Sequence, residues 1–343
     1  MKKYFLKLTL LFALIALAAG CGKKEPVTNA AAVDPAKLSS VDMGGQQVTL
    51  KYIFKKDDKL SYKLTTTTNA VQTVKADSLL KSASDQTLTY FFNLEVLEVD
   101  QSNIAELGIT ITQIDFTGNI NGQTMKYSSK NPTKEDKEKF GEFEVIVNSP
   151  YRARVNQQGE VLEISRVDKM IDKMVSLKPE MGKMSTEQKT NLIKNISEGE
   201  LKPRTQLLFR QLATTPVAKD STWQFTSPAN LAVFQIENTS KYKIDDFVKV
   251  GNDKGVKISA SLLSKWSGNK KGTEQGMNFL FDDPKITGGG TIIFNMDKGH
   301  VIKSETSTTI ELGVQIDGKD ASQKMRHTVR KDYSMNKNIV ELL

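Results

Sequence analysis

Alternation of apolar and polar residues runs through most of this chain and restricts it to antiparallel β structure. TLKYIF (49–54) and KLSYKLTTTT (59–68) flank the turn KKDDK. TLTYFFNLEVLEV (87–99) and ELGITITQIDFTG (106–118) follow, then GQTMKYSS, FEVIVNS and YRARVNQQGEVLEIS. Period-2 patterning between turn signals predicts strands joined as hairpins. The run Thr65 to Thr68 fits a strand with one wet face. Leu79 and Leu80 read as a short loop or helix.

The period changes in the middle of the chain. In RVDKMIDKMVSLK (166–178), Val167, Met170, Ile171, Met174 and Val175 recur at helical spacing. Ser185 with Gln188 forms a capping box opening a second helix. Pro203 suits the first turn of a third, which carries Leu207, Leu208, Phe209 and Leu212. Alternation then resumes from NLAVFQIEN to KMRHTVRKDYSM. Strands, helices, then strands argue an α+β fold: mainly antiparallel β, arranged as two related curved sheets or half-barrels around a central helical segment. The Met170 and Met174 stripe is expected to pack helix against sheet.

The lone cysteine fixes an address. Lys2, Lys3 and Lys7 precede the apolar run Leu8 to Ala19, and Ala18, Ala19 and Gly20 lead into Cys21. A basic start, an apolar stretch and small residues describe a secretory signal peptide. Small residues before a cysteine resemble the lipobox of bacterial lipoproteins, with Ala18 where that family favours Leu. The resemblance implies that Cys21 carries diacylglycerol and, on its freed amine, a further acyl chain such as palmitate. It places the protein in the cell envelope, lipid-anchored to a bacterial membrane. Gly22, in a place where Asp would favour the inner membrane, leans the assignment toward the outer one.

The expected organisation is a signal peptide at 1–20, a flexible tether at 21–45, a first β unit at 46–167, a helical segment at 168–215 and a second β unit at 216–343. The tether, GKKEPVTNAAAVDPAKLSSVDMGG, is poor in large apolar residues, and as a coil would span about 25–30 Å. Removing residues 1–20 removes three lysines and no acid, taking the net charge from +8 to +5. Charges of both signs interleave, so nucleic acid is not an expected partner.

Three pairs of stretches suggest a repeat. LEVLEVDQSNIAELGITI (94–111) parallels DDFVKVGNDKGVKISASL (245–262), and ARVNQQGEVLEIS (153–165) parallels IFNMDKGHVIKSE (293–305). INGQTM (120–125) also parallels IDGKDA (316–321). ATTPVAKDSTWQF (213–225), GGGTIIFNMDKGHVIKS (288–304) and KYIFKKDDKLSYKL (51–64) resemble an uncharacterised family of bacterial lipoproteins, with Lys219 where Gly is usual before Asp220. Those shared motifs are turns and strands and carry no catalytic residue. At fold level the hairpins are similar to lipoprotein carriers, in which a curved sheet wraps a helix and shelters acyl chains.

Chemistry is sparse. His300 lies in a hairpin turn and His327 in a strand. No GxSxG, HExxH or paired-cysteine motif occurs. Asp57/Asp58, Asp245/Asp246 and Asp282/Asp283 lie at turns or strand ends, where Asp bonds local backbone. Gly288 to Gly290 precede a strand and read as a bend or bulge. Trp223 is expected in the core; it and Trp266 are the two candidates for stacking on a sugar ring. No catalytic residue, metal ligand or cofactor is assigned, and the expectation is not an enzyme. The leading reading is non-catalytic binding of a hydrophobic small molecule or lipid, in an apolar cleft backed by helix 166–178. A scaffold or partner-binding subunit of an envelope complex is the second class, and a hydrolase using acidic residues the third.

Replacing Cys21 with Ser should abolish incorporation of radiolabelled palmitate in cells and leave the unprocessed precursor mass.

Overall fold

The computed structural model describes residues 38–274, 276–319 and 323–343. Residues 1–20, read as a signal peptide, and Cys21 lie outside the described residues. Residues 38–45, the end of the stretch read as a tether, are already tied to the fold: Ser40 bridges Val248, and the Val41 amide donates to Phe247 O at 2.8 Å.

The first half is a run of hairpins: β1 (Lys59–Lys75), β2 (Leu79–Val99), β3 (Ala105–Ile120), β4 (Gln123–Ser128), β5 (Tyr151–Val155) and β6 (Val161–Ser165). Local turn chemistry sets their ends. Asp100 Oδ1 accepts from the Ser102 and Ile104 amides between β2 and β3. Asn121 and Gly122 both take positive φ between β3 and β4, the two-residue hairpin turn that Asn-Gly favours. The second half contains β7 (Thr222–Leu231), β8 (Phe234–Val250), β9 (Asp253–Ser267), β10 (Lys271–Glu274), β11 (Met277–Phe281), β12 (Lys285–Asn295), β13 (His300–Lys319) and β14 (Met325–Leu342).

The mainly antiparallel fold with a central helical segment matches the expectation. In place of two sheets, however, there is one. Its order is β6-β5-β3-β2-β1-β14-β13-β12-β9-β8-β7, with β4 paired to β3, and β11 to β10 and β13. The join is β14, which pairs with β13 on one side and with β1 on the other, from Tyr62↔Leu342 to Lys75↔Val329. A hydrophobic period assigns a strand its faces but not its neighbours, so the join is invisible to it. The sheet is curved and does not close; β6 and β7 are its edges.

The two halves repeat one strand order, β1-β2-β3-β5-β6 and β7-β8-β9-β12-β13. The first two paired stretches fall on corresponding hairpins, β2–β3 with β8–β9 and β5–β6 with β12–β13, and each of the four has a register shift. The third does not correspond: 120–125 ends β3, whereas 316–321 ends β13 and runs partly outside the described residues.

Helices fill the lower end of the sheet, where β1 begins and β14 ends. α1 (Lys134–Lys139) and α2 (Gly141–Ile146) lie between β4 and β5. α3 (Asp168–Leu177), α4 (Thr186–Lys194), a π-helical turn (Asn195–Leu201) and α5 (Lys202–Leu208) link β6 to β7. Ser185 and Gln188 form the expected capping box, and Pro203 sits in the first turn of α5. Met170 and Ile171 are buried in the main core, as expected of a packing face. Asp168 and Lys169, at the start of α3, line a pocket with Leu60, Leu94, Leu97 and Tyr151.

Four local expectations change. FEVIVNS supplies α2 rather than a strand, because β4 and β5 already occupy the flank of β3. Helical spacing instead stacks Phe140 on Phe143, 5.8 Å apart, against Phe116 and Tyr127. Leu79 and Leu80 begin β2 instead of a loop or helix. Residues 49–54 are extended but join no ladder, crossing the lower end between two turns: the Tyr52 amide donates to Gln157 O and the Ile53 amide to Gly299 O. Gly288 to Gly290 are neither bend nor bulge. They pair in register with both β9 and β13, and the β12–β13 register shift comes later, at Ile293/Phe294. The strands approach too closely for side chains: a Cβ at Gly288 would lie 2.8 Å from Ser307 O, and one at Gly290 would collide with Glu305 O.

Gly290→Val should therefore lower stability by about 1–3 kcal/mol in denaturant titration. Gly272→Ala, in open space on β10, should change it by less than about 0.5 kcal/mol.

Candidate functional site: the uncovered inner face of the sheet

Tyr62 and Leu64 on β1 are buried in the main core and define the helix-packed inner face. With a period of two, the next inward residues are Thr66, Thr68, Ala70, Gln72 and Val74. Pairing extends this face across β14 through Asn338, Asn336, Ser334, Asp332 and Arg330, and across β13 through Thr306, Thr308 and Ile310. The helices stop below this level. Above them the inner face is a belt of hydroxyl and amide groups, only partly buried.

Cross-strand hydrogen bonds order the belt. Thr66 Oγ1 donates to Asn338 Oδ1 at 2.8 Å and Thr68 Oγ1 to Asn336 Oδ1 at 2.7 Å. Gln72 Nε2 donates to Asp332 Oδ1 at 2.9 Å, and Arg330 Nε pairs with Asp332 Oδ2 at 2.8 Å. Both side chains of that ion pair are 10% exposed. Pairing with mutual hydrogen bonds is what makes burial of two such charges tolerable. Ser334 Oγ, on the same face, is buried without a protein partner.

Apolar clusters bound the belt at both ends. Below is the main core. Above, Phe234 and Ile236 on β8 pack with Leu312 on β13, and Leu231, Phe281 and Ile286 lie against them. These residues meet although β9 and β12 intervene in the sheet order, so the second half curls tightly at its upper end.

Arg210, just beyond α5, sits where the helical filling ends. Its Nε donates to Ser304 Oγ at 2.9 Å and its Nη2 to Thr306 Oγ1 at 3.3 Å. Its backbone is held by one phenol: the Arg210 amide donates to Tyr52 Oη at 2.7 Å, and Tyr52 Oη donates to Arg210 O at 3.1 Å. Burial pulls the guanidinium pKa down, while Tyr242 and Tyr52 push the other way. Sequence reasoning missed this residue, because nothing in QLLFRQLATT distinguishes an inward arginine from a surface one.

The residues singled out from sequence do not converge. Asp58 accepts from the Lys55 amide in its turn. Asp245 accepts from Ser259, Asp246 pairs with Lys219 and Asp283 with Lys270. His327 is exposed, 2.7 Å from Asp317. Trp223 is partly buried against the core, stacked on Tyr242, with its indole N–H on Gln211 O. Trp266 is 37% exposed near the upper rim, edge-on to Phe234. Among the described residues, no group of three His, Cys, Asp or Glu is placed to hold a metal ion. No described helix is long and apolar enough to cross a membrane.

Residues 102–301, more than half of the chain, match the sequence profile of a family of unknown function (DUF6263). The chain belongs to that family. Its matched stretch runs from the β2–β3 turn into β13 and so takes in parts of both halves of the sheet. No curated protein matches this DUF6263 member. Among solved structures it is similar to one titled for lipid–protein interactions in lipovitellin, at 10% identity and a TM-score of 0.40, over 85% of this chain and 25% of that one. The chain thus spans about a quarter of that protein's length. An outer-membrane channel from Pseudomonas putida F1 matches at 8% identity and a TM-score of 0.20, over 88% of this chain and 100% of the channel. OccAB4 from Acinetobacter baumannii matches at 9% identity and a TM-score of 0.20, over 83% and 99%. Scores this low transfer no function.

His300, half-buried at the start of β13, gives a pH test of the fold. Burial, then Lys298, lower its pKa, and Asp253 and Asp58 oppose them. Unfolded histidine titrates near ~6.5. Below that pH the unfolded chain takes up a proton that the folded site resists, so stability is present above ~6.5 and falls as pH drops toward the folded pKa. The urea midpoint should be lower at pH 5 than at pH 7.5, and His300→Gln should shrink the difference.

Proposed function

We propose that this protein is a lipid-anchored envelope protein that binds an amphiphilic, largely hydrophobic molecule without chemical conversion. The observation that carries the reading is the order of environments along the inner face. A helix-filled apolar core gives way to a partly exposed polar belt and then to a second apolar cluster. A molecule with a polar group and an acyl-like portion matches this order, with the polar group over Asn336, Asn338 and Thr306, and the chain toward Phe281 and Ile286. Binding sites for such ligands combine apolar lining with a few placed polar groups. The anchor rests on the Cys21 motif, and the non-catalytic assignment on the dispersed acidic pairs.

One observation favours the second reading, a partner-binding scaffold. Leu79 and Met325, on neighbouring hairpins at the upper rim, are 67% and 58% exposed, and Leu80 and Val233 are exposed as well. Exposed apolar rims of this kind mark interaction sites.

Native mass spectrometry on residues 22–343, made in cells with a bacterial envelope, should show a reproducible adduct of lipid mass. A folded protein without an adduct would overturn the ligand reading in favour of the scaffold.

A further inference from the structure

At the level of Arg210, below the inward Arg330–Asp332 pair, the charges of the central strands are sorted by face. There the outward residues carry the ion pairs: Glu341 with Lys63 and Lys303, and Glu305 with Lys337. The inward residues at the same level are Ser304, Thr306 and Asn338. Arg210 reaches this inner face from the helical side, and no ion pair joins it to a carboxylate among the described residues. Two hydroxyls are its only side-chain partners there, although a guanidinium offers five N–H donors. A half-buried cation facing neutral groups is costly unless an anion completes it. The main chain on either side is already fixed by Tyr52, so the guanidinium is presented with little freedom left to lose.

We propose that Arg210 is the recognition cation for an anionic headgroup, so that the amphiphile is a phosphate-bearing lipid. Phosphate oxygens suit the planar N–H array of arginine. Thr306 lies beside the guanidinium, and Asn338, its neighbour on β14, continues the belt away from it. This assignment rests on the ligand reading above and specifies its polar end.

The test uses residues 22–343, which retain every described element, with dodecyl phosphate and dodecyl maltoside as probes below their micellar concentrations. Calorimetric titration of the wild type should show dodecyl phosphate binding tighter by about tenfold or more, the expected scale for a charge-assisted contact. Arg210→Gln should remove that preference and leave maltoside binding in place. Thr306→Asp, which sets a carboxylate beside an intact Arg210 and keeps the Tyr52 contacts, should remove it as well. The second variant serves if the first fails to fold. A preference that survives Thr306→Asp overturns the assignment. Equal binding of both probes to the wild type overturns the anionic headgroup and leaves the amphiphile reading standing. Binding of neither overturns both. Inorganic phosphate bound as tightly as dodecyl phosphate, and lost in Arg210→Gln, would support Arg210 as an anion site and overturn the lipid as its source.

Discussion

The contact on which the rest of this molecule depends is the packing and hydrogen bonding of one buried phenol, Tyr52. Its ring lies 5.3 Å from Phe294 of β12, 5.5 Å from Phe209 beyond α5 and 5.8 Å from Phe54. Its amide bonds the β5–β6 turn, and the amide of Ile53 bonds the β12–β13 turn. A single residue therefore joins the lower hairpins of both halves to the end of the helical segment. Gly159 is glycine for the same reason: with φ at +81°, a Cβ there would strike both the Tyr52 ring and Arg210 O. Because the Tyr52 hydroxyl both donates to and accepts from the Arg210 backbone, the packing of the lower end also sets where the inner-face cation stands.

The sheet separates two kinds of polarity. Outward faces carry mixed charges in pairs that range from exposed to partly buried, and the exposed ones contribute little to stability. The inward face above the helices is built mainly from threonine, serine and asparagine, with one nearly buried Arg330–Asp332 pair among them. Such a belt is neither a core nor ordinary surface. It offers hydroxyl and amide donors and acceptors in a fixed array where no helix covers the sheet. The three glycines of β12 belong to the same design, since they let β9, β12 and β13 approach one another and curl around the upper cluster. The β7 edge is marked by Pro228, which has no amide to donate to a further strand.

Much of the fold was legible because the signals were local. Period-2 alternation found the long strands, helical spacing found Met170 and Ile171 as a packing face, and Ser185 with Gln188 fixed a helix start. What was not legible was non-local. Alternation in FEVIVNS could not reveal that the flank of β3 was taken, and three glycines in a row look like a break until neighbours on both sides explain them. The join of β14 to β1 involves residues at opposite ends of the chain. Of the site, the alternating threonines of β1 were visible as one wet face, but not that this face would turn inward. Arg210 could not be read at all, because its position follows from Tyr52, Ser304 and Thr306, three residues remote in sequence.

The pairing of the first long strand with the last has a consequence for how the protein is made. β1 is synthesised early, and one of its edges, from Tyr62 to Lys75, is meant for residues 329–342. Until that final segment emerges, the middle of the sheet is missing and two half-sheets each present an unpaired edge. Contacts so distant in sequence form slowly, and open edges invite pairing with the wrong chain. A nascent chain of this kind gains from being kept from mispairing until residues 329–342 are free to zip the sheet together. Residues 329–342 then act as the closing seam, and a chain lacking them would be left with two half-sheets prone to pair with other chains.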